Sequence, residues 1–195
     1  MVELRGYREG DLPAMYRVCL LTGDAGRDAT PLYRDRDLLA HVYCGPYPAA
    51  DPALSLVVVD DDGVGGYLVG TADSTGFAAW EERHWWPALR ARYPLGPDDG
   101  SADHVLVEHL HHPPHEEPPA GFPAHLHIDL LPRLQGQGWG RRLIEGFAAA
   151  LAERSVPGMH LRVDPRNEGA IAFYDRLGFT PGEGGALVRA VGPRL

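Results

Sequence analysis

A mixed sheet covered by helices is the fold class this sequence predicts, and three observations predict it. Residues 53–74, ALSLVVVDDDGVGGYLVGTADS, are two apolar runs around an acidic, glycine-containing turn, which is the pattern of a β-hairpin. Residues 125–153, HLHIDLLPRLQGQGWGRRLIEGFAAALAE, pass from a strand through a glycine-rich loop directly into a helix. Strand and helix patterns also alternate on both sides of these stretches, which puts helices on the faces of one α/β sheet. With 195 residues and 44% hydrophobic content, the chain suits one domain, 1–195, with a full core and room for an insertion.

VELRGY alternates as a strand, and LPAMYRVCLL then has helical spacing, giving a helix over 11–21. TGDAGRDATPLY, 22–33, is loop-like, and RDLLAHVYCGPY forms a short helix ending near Gly45 and Pro46. The hairpin follows, turning at Asp60 to Gly63. Phe77, Trp80 and His84 then mark a helix that Pro87 divides. From Pro94 to Pro123 the composition shifts to Pro, Asp, His and Gly, with VLVEHL at 105–110 strand-like, so 74–123 is expected to embellish the sheet as an insertion. After the strand HLHIDLL come a helix from about Gly138 to Arg154, the strand MHLRV, a helix in NEGAIAFYDRLGF ending at Gly178, and two short strands in the tail.

The loop QGQGWG carries the chemistry. At a helix start four amides lack intrahelical partners and the macrodipole is positive, so the site suits pyrophosphate. Glycine at 136, 138 and 140 permits the turn and a close ligand approach. The Gly-Lys-Ser/Thr ending of a P-loop is absent, since Arg141 and Arg142 follow Gly140, and no early β-α-β unit with a downstream acidic residue precedes it.

The order strand, Gln135-x-x-Gly138-x-Gly140, helix, strand, Asn167-x-x-Ala170-x-x-x-Tyr174-x-x-x-Gly178-Phe179 resembles the GCN5-related N-acetyltransferase superfamily (GNAT). LRGYREGDLPAMYRVC is similar to its first strand and helix, and Thr22 to Tyr47 resembles the acetyltransferase-like C-terminal domain of eukaryotic O-GlcNAcase and its free-standing bacterial relatives. The resemblance implies the GNAT fold: a central mixed, mostly antiparallel sheet flanked by helices, with the insertion between the third and fourth core strands. It implies acetyl-CoA as cosubstrate, held by the loop residues Gln135, Gly136, Gln137, Gly138, Trp139, Gly140 and Arg141. It also implies that the strand before the loop splays at a bulge, so that the backbone of Leu130 and Leu131 meets the pantetheine and the developing oxyanion. Tyr174 stands where the superfamily has a tyrosine near the CoA sulfur, although AIAFY also has the spacing of a buried face. Asn167 either contacts the cofactor or caps its helix, and Trp139 either lies along the cofactor or shields the loop.

Acetyl transfer to an amine also needs a base. The period of two places His125, His127 and Asp129 on one face of their strand, opposite Leu126, Ile128 and Leu130. Asp129 or His127 can take the amine proton, unless these polar groups simply tie down loops under the insertion. Asp24, Asp28 and Thr30 either line an acceptor pocket or satisfy their own loop. The acceptor is expected to be a small-molecule or peptide amine. Function is expected to be direct acetyl transfer in a ternary complex, with a non-catalytic acetyl-CoA-binding module as the alternative.

The formal charge of -9 argues against nucleic acid and mildly favours cationic substrates. No metal is expected: the tract HLHHPPH, 109–115, is interrupted by proline and has no cysteine nearby. Trp80, Trp85 and Trp86 are expected in the core, or at a homodimer contact if exposed. Cys19 and Cys44 lack C-x-x-C spacing and read as buried thiols of a reducing compartment. With neither a signal core in MVELRGYREGD nor a membrane-length apolar run, no membrane association and a cytoplasmic location are expected.

Overall fold

The structure, a computed structural model, describes residues 1–114 and 117–192, so His115 of the histidine tract lies outside the described residues. Among the described residues seven strands form one sheet: β1 (Glu3–Gly6), β2 (Leu56–Asp60), β3 (Gly63–Thr71), β4 (Ala124–Leu130), β5 (Gly158–Leu161), β6 (Thr180–Pro181) and β7 (Leu187–Ala190). Their spatial order is β1-β2-β3-β4-β5-β7-β6, antiparallel except where β4 meets β5. Helices α1 (Leu12–Thr22), α2 (Leu38–Tyr43) and α3 (Pro46–Ala50) precede the hairpin. Between β3 and β4 stand α4 (Ser74–His84), α5 (Trp86–Arg92) and α6 (Ala102–His111), and α7 (Trp139–Glu153) and α8 (Glu168–Arg176) follow β4 and β5. Among the described residues no helix is long and apolar enough to cross a membrane.

Strand alternation divides the interior into two cores. Val57, Tyr67 and Val69 face α1, α2 and the helices between β3 and β4, whereas Val58, Leu68 and Leu126 face α7 and α8. Helix α7 buries Leu143, Ile144, Phe147 and Leu151, a single stripe at helical spacing. Each such side chain contributes about 1.5–3 kcal/mol on leaving water.

Segment 105–110, strand-like by composition, is helical. Ser101 accepts a hydrogen bond from the His104 amide at 3.1 Å and caps α6, and Leu106 and Leu110, four residues apart, turn inward while Val105 faces solvent. The cap and this spacing override the β-propensity of the Val-rich run. The chain also does not simply leave its helix at Gly45 and Pro46: Pro46 opens α3, the first helical turn being the place where its missing N–H matters least. Pro87 does divide α4 from α5, likewise in a first turn.

His125 ties the segment between β3 and β4 to the sheet. The Ser74 hydroxyl donates to the Pro123 carbonyl at 2.6 Å, so it accepts from His125 Nδ1 at 2.7 Å, which leaves Nε2 to accept from the Tyr47 hydroxyl at 2.8 Å. Burial, then neighbouring His127 and His160, pushes the His125 pKa well down, consistent with this neutral tautomer. Trp86 is buried, Trp80 and Trp85 are partly buried against the same core, and the Trp85 indole donates to the His41 carbonyl at 2.8 Å.

Truncating Leu110 to Ala should cost about 2–5 kcal/mol. Val105→Ala, at a side chain 62% exposed, should stay within about 0.5 kcal/mol. Urea unfolding of the two variants checks the packing of α6, and equal losses would contradict the inward placement of Leu110.

Candidate active site

The parallel contact between β4 and β5 is confined to two residue pairs, Ala124 with Met159 and His125 with His160. Beyond it the strands part. On its other side β4 continues in unbroken antiparallel register with β3 from His125 to Leu130. The bulge expected near Asp129 is absent; the irregularity in the sheet falls instead between Val58 and Val59 of β2. The opening between β4 and β5 is therefore a loss of pairing on one edge, and the polar face of His125, His127 and Asp129 keeps its parity.

Leu131 donates its amide to the Gly65 carbonyl at 2.8 Å. Alternation along an antiparallel pair then turns the backbone groups of Ile128 and Leu130 away from β3, toward the opening. The expected backbone role of Leu131 is thus corrected: its amide is already used, and Ile128 with Leu130 lines the cleft instead. The Leu130 carbonyl accepts from the Gln135 side chain at 2.8 Å, which folds the loop back over the strand end.

A cleft of about 650 Å³ continues from this opening to the start of α7. Gly136 (φ 71°) and Gly138 (φ 83°) take left-handed conformations, and both line it. A Cβ on either would meet no protein atom within 4 Å, so the space beside them is open, whereas a Cβ on Gly140 would lie 2.8 Å from the Phe173 ring. Gly136 and Gly138 therefore serve the turn and the cleft, and Gly140 serves the packing of α7 against α8. Gln135 and Arg141 also line the cleft. Gln137 and Trp139 do not: the Gln137 side chain donates to the Arg133 carbonyl at 2.6 Å, and the Trp139 ring lies against the second core beneath the Arg142 guanidinium at 4.5 Å.

At the inner end of the cleft, Asp129 receives a hydrogen bond on each carboxylate oxygen, from Thr22 at 2.8 Å and from Tyr67 at 2.5 Å. Burial raises its pKa, and the two hydroxyls oppose that rise. Tyr174 comes to the same cleft from α8, its ring packed against Phe173 and Phe179. Burial first, then the Asp129 charge, raises its pKa and keeps the phenol a donor. Asn167 caps α8 by accepting from the Ala170 amide at 3.0 Å, and it also lines the cleft.

Other expected residues lie elsewhere. His127 is packed among the rings of Tyr43, Tyr47 and His125, outside the cleft lining, and burial lowers its pKa to about 4. Asp24 pairs with Arg27 at 2.9 Å and Arg166 at 3.2 Å, tying the loop after α1 to the one before α8. Asp28 accepts the Thr30 amide at 2.8 Å, satisfying its own loop. In the histidine tract, His109 lies against Tyr43 and Trp86, and His111 is 2.9 Å from the Tyr93 carbonyl.

Sequence reasoning missed Thr22, Tyr67, Phe173 and Arg176. Phe173 and Arg176 carried a local signal, because with Gly169 they repeat at i, i+4 and i+7 on one face of α8, and all three line the cleft. Thr22 and Tyr67 carried none, since their partner is distant in the chain.

A mixed sheet opened beside a glycine-turned helix start, with a carboxylate and a phenol at the inner end, forms one continuous cleft. A sequence model described as "Acetyltransferase (GNAT) family" matches residues 21–179, and the chain belongs to that family. The crystal structure of SsHAT superposes on it with a TM-score of 0.90 at 40% identity, covering 98% of both chains. Rat protein O-GlcNAcase is 23% identical over 180 residues, 90% of this chain and 20% of that protein, so the chain spans a fifth of the relative's length. A GNAT family acetyltransferase from Brucella melitensis, solved in complex with acetyl-CoA, shares the fold at a TM-score of 0.52 and 19% identity, with 100% of this chain and 91% of that one covered.

Because the folded-state pKa of Asp129 lies above its unfolded value, this carboxyl favours folding most below about pH 4, and that contribution is lost as pH rises through the raised value. Asp129→Asn should escape this loss and gain stability relative to the unsubstituted protein as pH rises above about 4. Urea midpoints across that range provide the check, and parallel curves would show that the carboxylate is not strained by burial.

Proposed function

We propose that this chain is an acetyl-CoA-dependent N-acetyltransferase that passes the acetyl group directly to an amine within a ternary complex. One observation carries the reading: the unpaired edge of β4 runs between a carboxylate and a phenol at one end and a glycine-turned helix start at the other. The donor fits these residues. A pyrophosphate suits the amides at the α7 N-terminus and the neighbouring Arg141, and an amide-bearing arm suits the backbone of Ile128 and Leu130. The thioester supplies an acyl group activated for attack by an amine.

Asp129 accepts the amine proton. Its raised pKa brings its basicity closer to the working pH than that of an exposed aspartate. The Leu130 amide, turned from β3, donates to the carbonyl oxygen as negative charge develops there. Tyr174, held protonated by its surroundings, donates to the departing sulfur. The acceptor is a small-molecule or peptide amine, and the net charge of -9 suits a cationic one. The similarity to one fifth of the much longer O-GlcNAcase favours one other reading, an acyl-CoA-binding module without turnover.

Acetyl-CoA titrated calorimetrically should bind, and Gly138→Val should abolish binding and also lower the thermal midpoint, because a β-branched residue is strained at φ 83° even though its carbons meet open space. Tyr174→Phe should lower kcat by about 10²-fold with acetyl-CoA affinity nearly unchanged. Equal loss of both would mark Tyr174 as structural. An amine screen with the unsubstituted protein separates the two readings, binding without transfer to any acceptor favouring the module. All 18 Lys and Arg residues are arginine, so any acetyl-lysine detected comes from an acceptor and not from the enzyme.

A further inference from the structure

Asp129 is held by two hydroxyls with different second choices. Tyr67 is completely buried on β3, and its hydroxyl donates to Asp129 Oδ2 at 2.5 Å. Thr22, in the last turn of α1, lies 2.8 Å from Asp129 Oδ1 and also 2.8 Å from the Val18 carbonyl oxygen. A threonine hydroxyl has a single proton and two lone pairs. It can therefore donate to an ionised Asp129, or donate to Val18 while accepting a hydrogen bond from a protonated one. Both arrangements satisfy every atom without moving a side chain.

We propose that Tyr67 and Thr22 are positioning residues that hold Asp129 through both of its protonation states, the Thr22 hydroxyl reversing from donor to acceptor as the carboxylate takes up a proton. This rests on Asp129 being the base. When an acceptor N–H bond breaks and an Oδ1–H bond forms, the Thr22 proton swings to the Val18 carbonyl and the new acid proton is donated to Thr22 Oγ1. Tyr67 donates to Oδ2 throughout, because a carbonyl oxygen accepts as a carboxylate oxygen does. Were both hydroxyls fixed as donors, the new acid proton on Oδ1 would have no acceptor and would face another proton at each uptake.

The cations lining the same cleft, Arg141 and Arg176, are arginines, a residue type that keeps its charge through the range tested. Cys19 from α1, Cys44 beyond α2, Tyr67 from β3 and Tyr174 from α8 are the titratable groups that share the field of Asp129, and burial raises the pKa of each, so they stay neutral. His127, two residues earlier on β4, is neutral above about pH 4. The acid limb of the pH profile then combines Asp129 with the acceptor amine's own titration, and the amine's share is the same in every variant.

The test is the pH dependence of kcat/KM with acetyl-CoA and an amine identified by the screen. Tyr67→Phe keeps the buried ring and removes a donor to the ionised form. Its acid limb should move up by about one pH unit or more, with acetyl-CoA affinity retained. Thr22→Val should lower kcat by about tenfold or more across the profile, and Thr22→Ser, which restores a hydroxyl, should recover most of that loss. If Asp129→Asn is inactive while Tyr67→Phe leaves the acid limb in place, or Thr22→Val turns over normally, the positioning role is overturned and the base assignment stands. If Asp129→Asn turns over at the unsubstituted rate, the base assignment fails and takes this proposal with it.

Discussion

The early end of the pairing between β4 and β5 is the constraint on which the remaining site geometry depends. A strand inside a sheet must place its amides and carbonyls somewhere, and β4 gives those of one edge to β3 throughout. On its other edge the pairing stops after His125. The backbone from there to Leu130 turns polar groups toward a cleft, with the Leu130 carbonyl accepting from Gln135. Because β5 diverges, α7 can begin close to the end of β4, and its unpaired amides continue the same polar track. The glycines at 136 and 138 are what the chain needs to turn from one to the other in so few residues.

The same opening explains why a carboxylate is tolerated in the middle of a central strand. Asp129 lies on the sheet face that packs against α1, where an unpaired charge would be expensive. Thr22 and Tyr67 supply one hydroxyl to each oxygen, and its remaining exposure is toward the cleft. Burial and hydrogen bonding act in opposite directions, and burial dominates, so the group is a stronger base than a surface aspartate. His127, on the same face, is pressed among tyrosine rings and burial holds it neutral. One residue of strand, Ile128, separates a carboxylate at the cleft from a packing histidine.

The helices between β3 and β4 act on the site indirectly. His125, linked to Tyr47 and Ser74, joins α3 and α4 to the start of β4, just where pairing with β5 is retained. That anchors the base of the opening. The ion pairs of Asp24 with Arg27 and Arg166 bring the loop after α1 to the one before α8, with Ala25, Gly26 and Asn167 on the cleft wall.

Much of this was legible in the chain because it rests on local chemistry. The hairpin turn, the amphipathic stripe of α7, the glycine spacing at its start and the alternation that put Asp129 on a polar face are properties of adjacent residues, and the family motif combines them. The strand expected at 105–110 failed because short Val-rich runs are ambiguous, and a capping serine with two inward leucines settles the matter only when a partner surface exists for them. Decisions between residues distant in sequence belonged to the tertiary structure alone. Hydrogen-bond parity gave the Leu131 amide to Gly65, burial took His127 out of contention, and β3 register with the α1 position brought Tyr67 and Thr22 to Asp129. The sequence by itself determined which backbone can turn, which faces are apolar and what family motif is present, since these follow from neighbours a few residues apart. Which polar groups meet, and therefore which carboxylate holds a usable proton affinity, was decided only when strands and helices far apart in the chain were packed together.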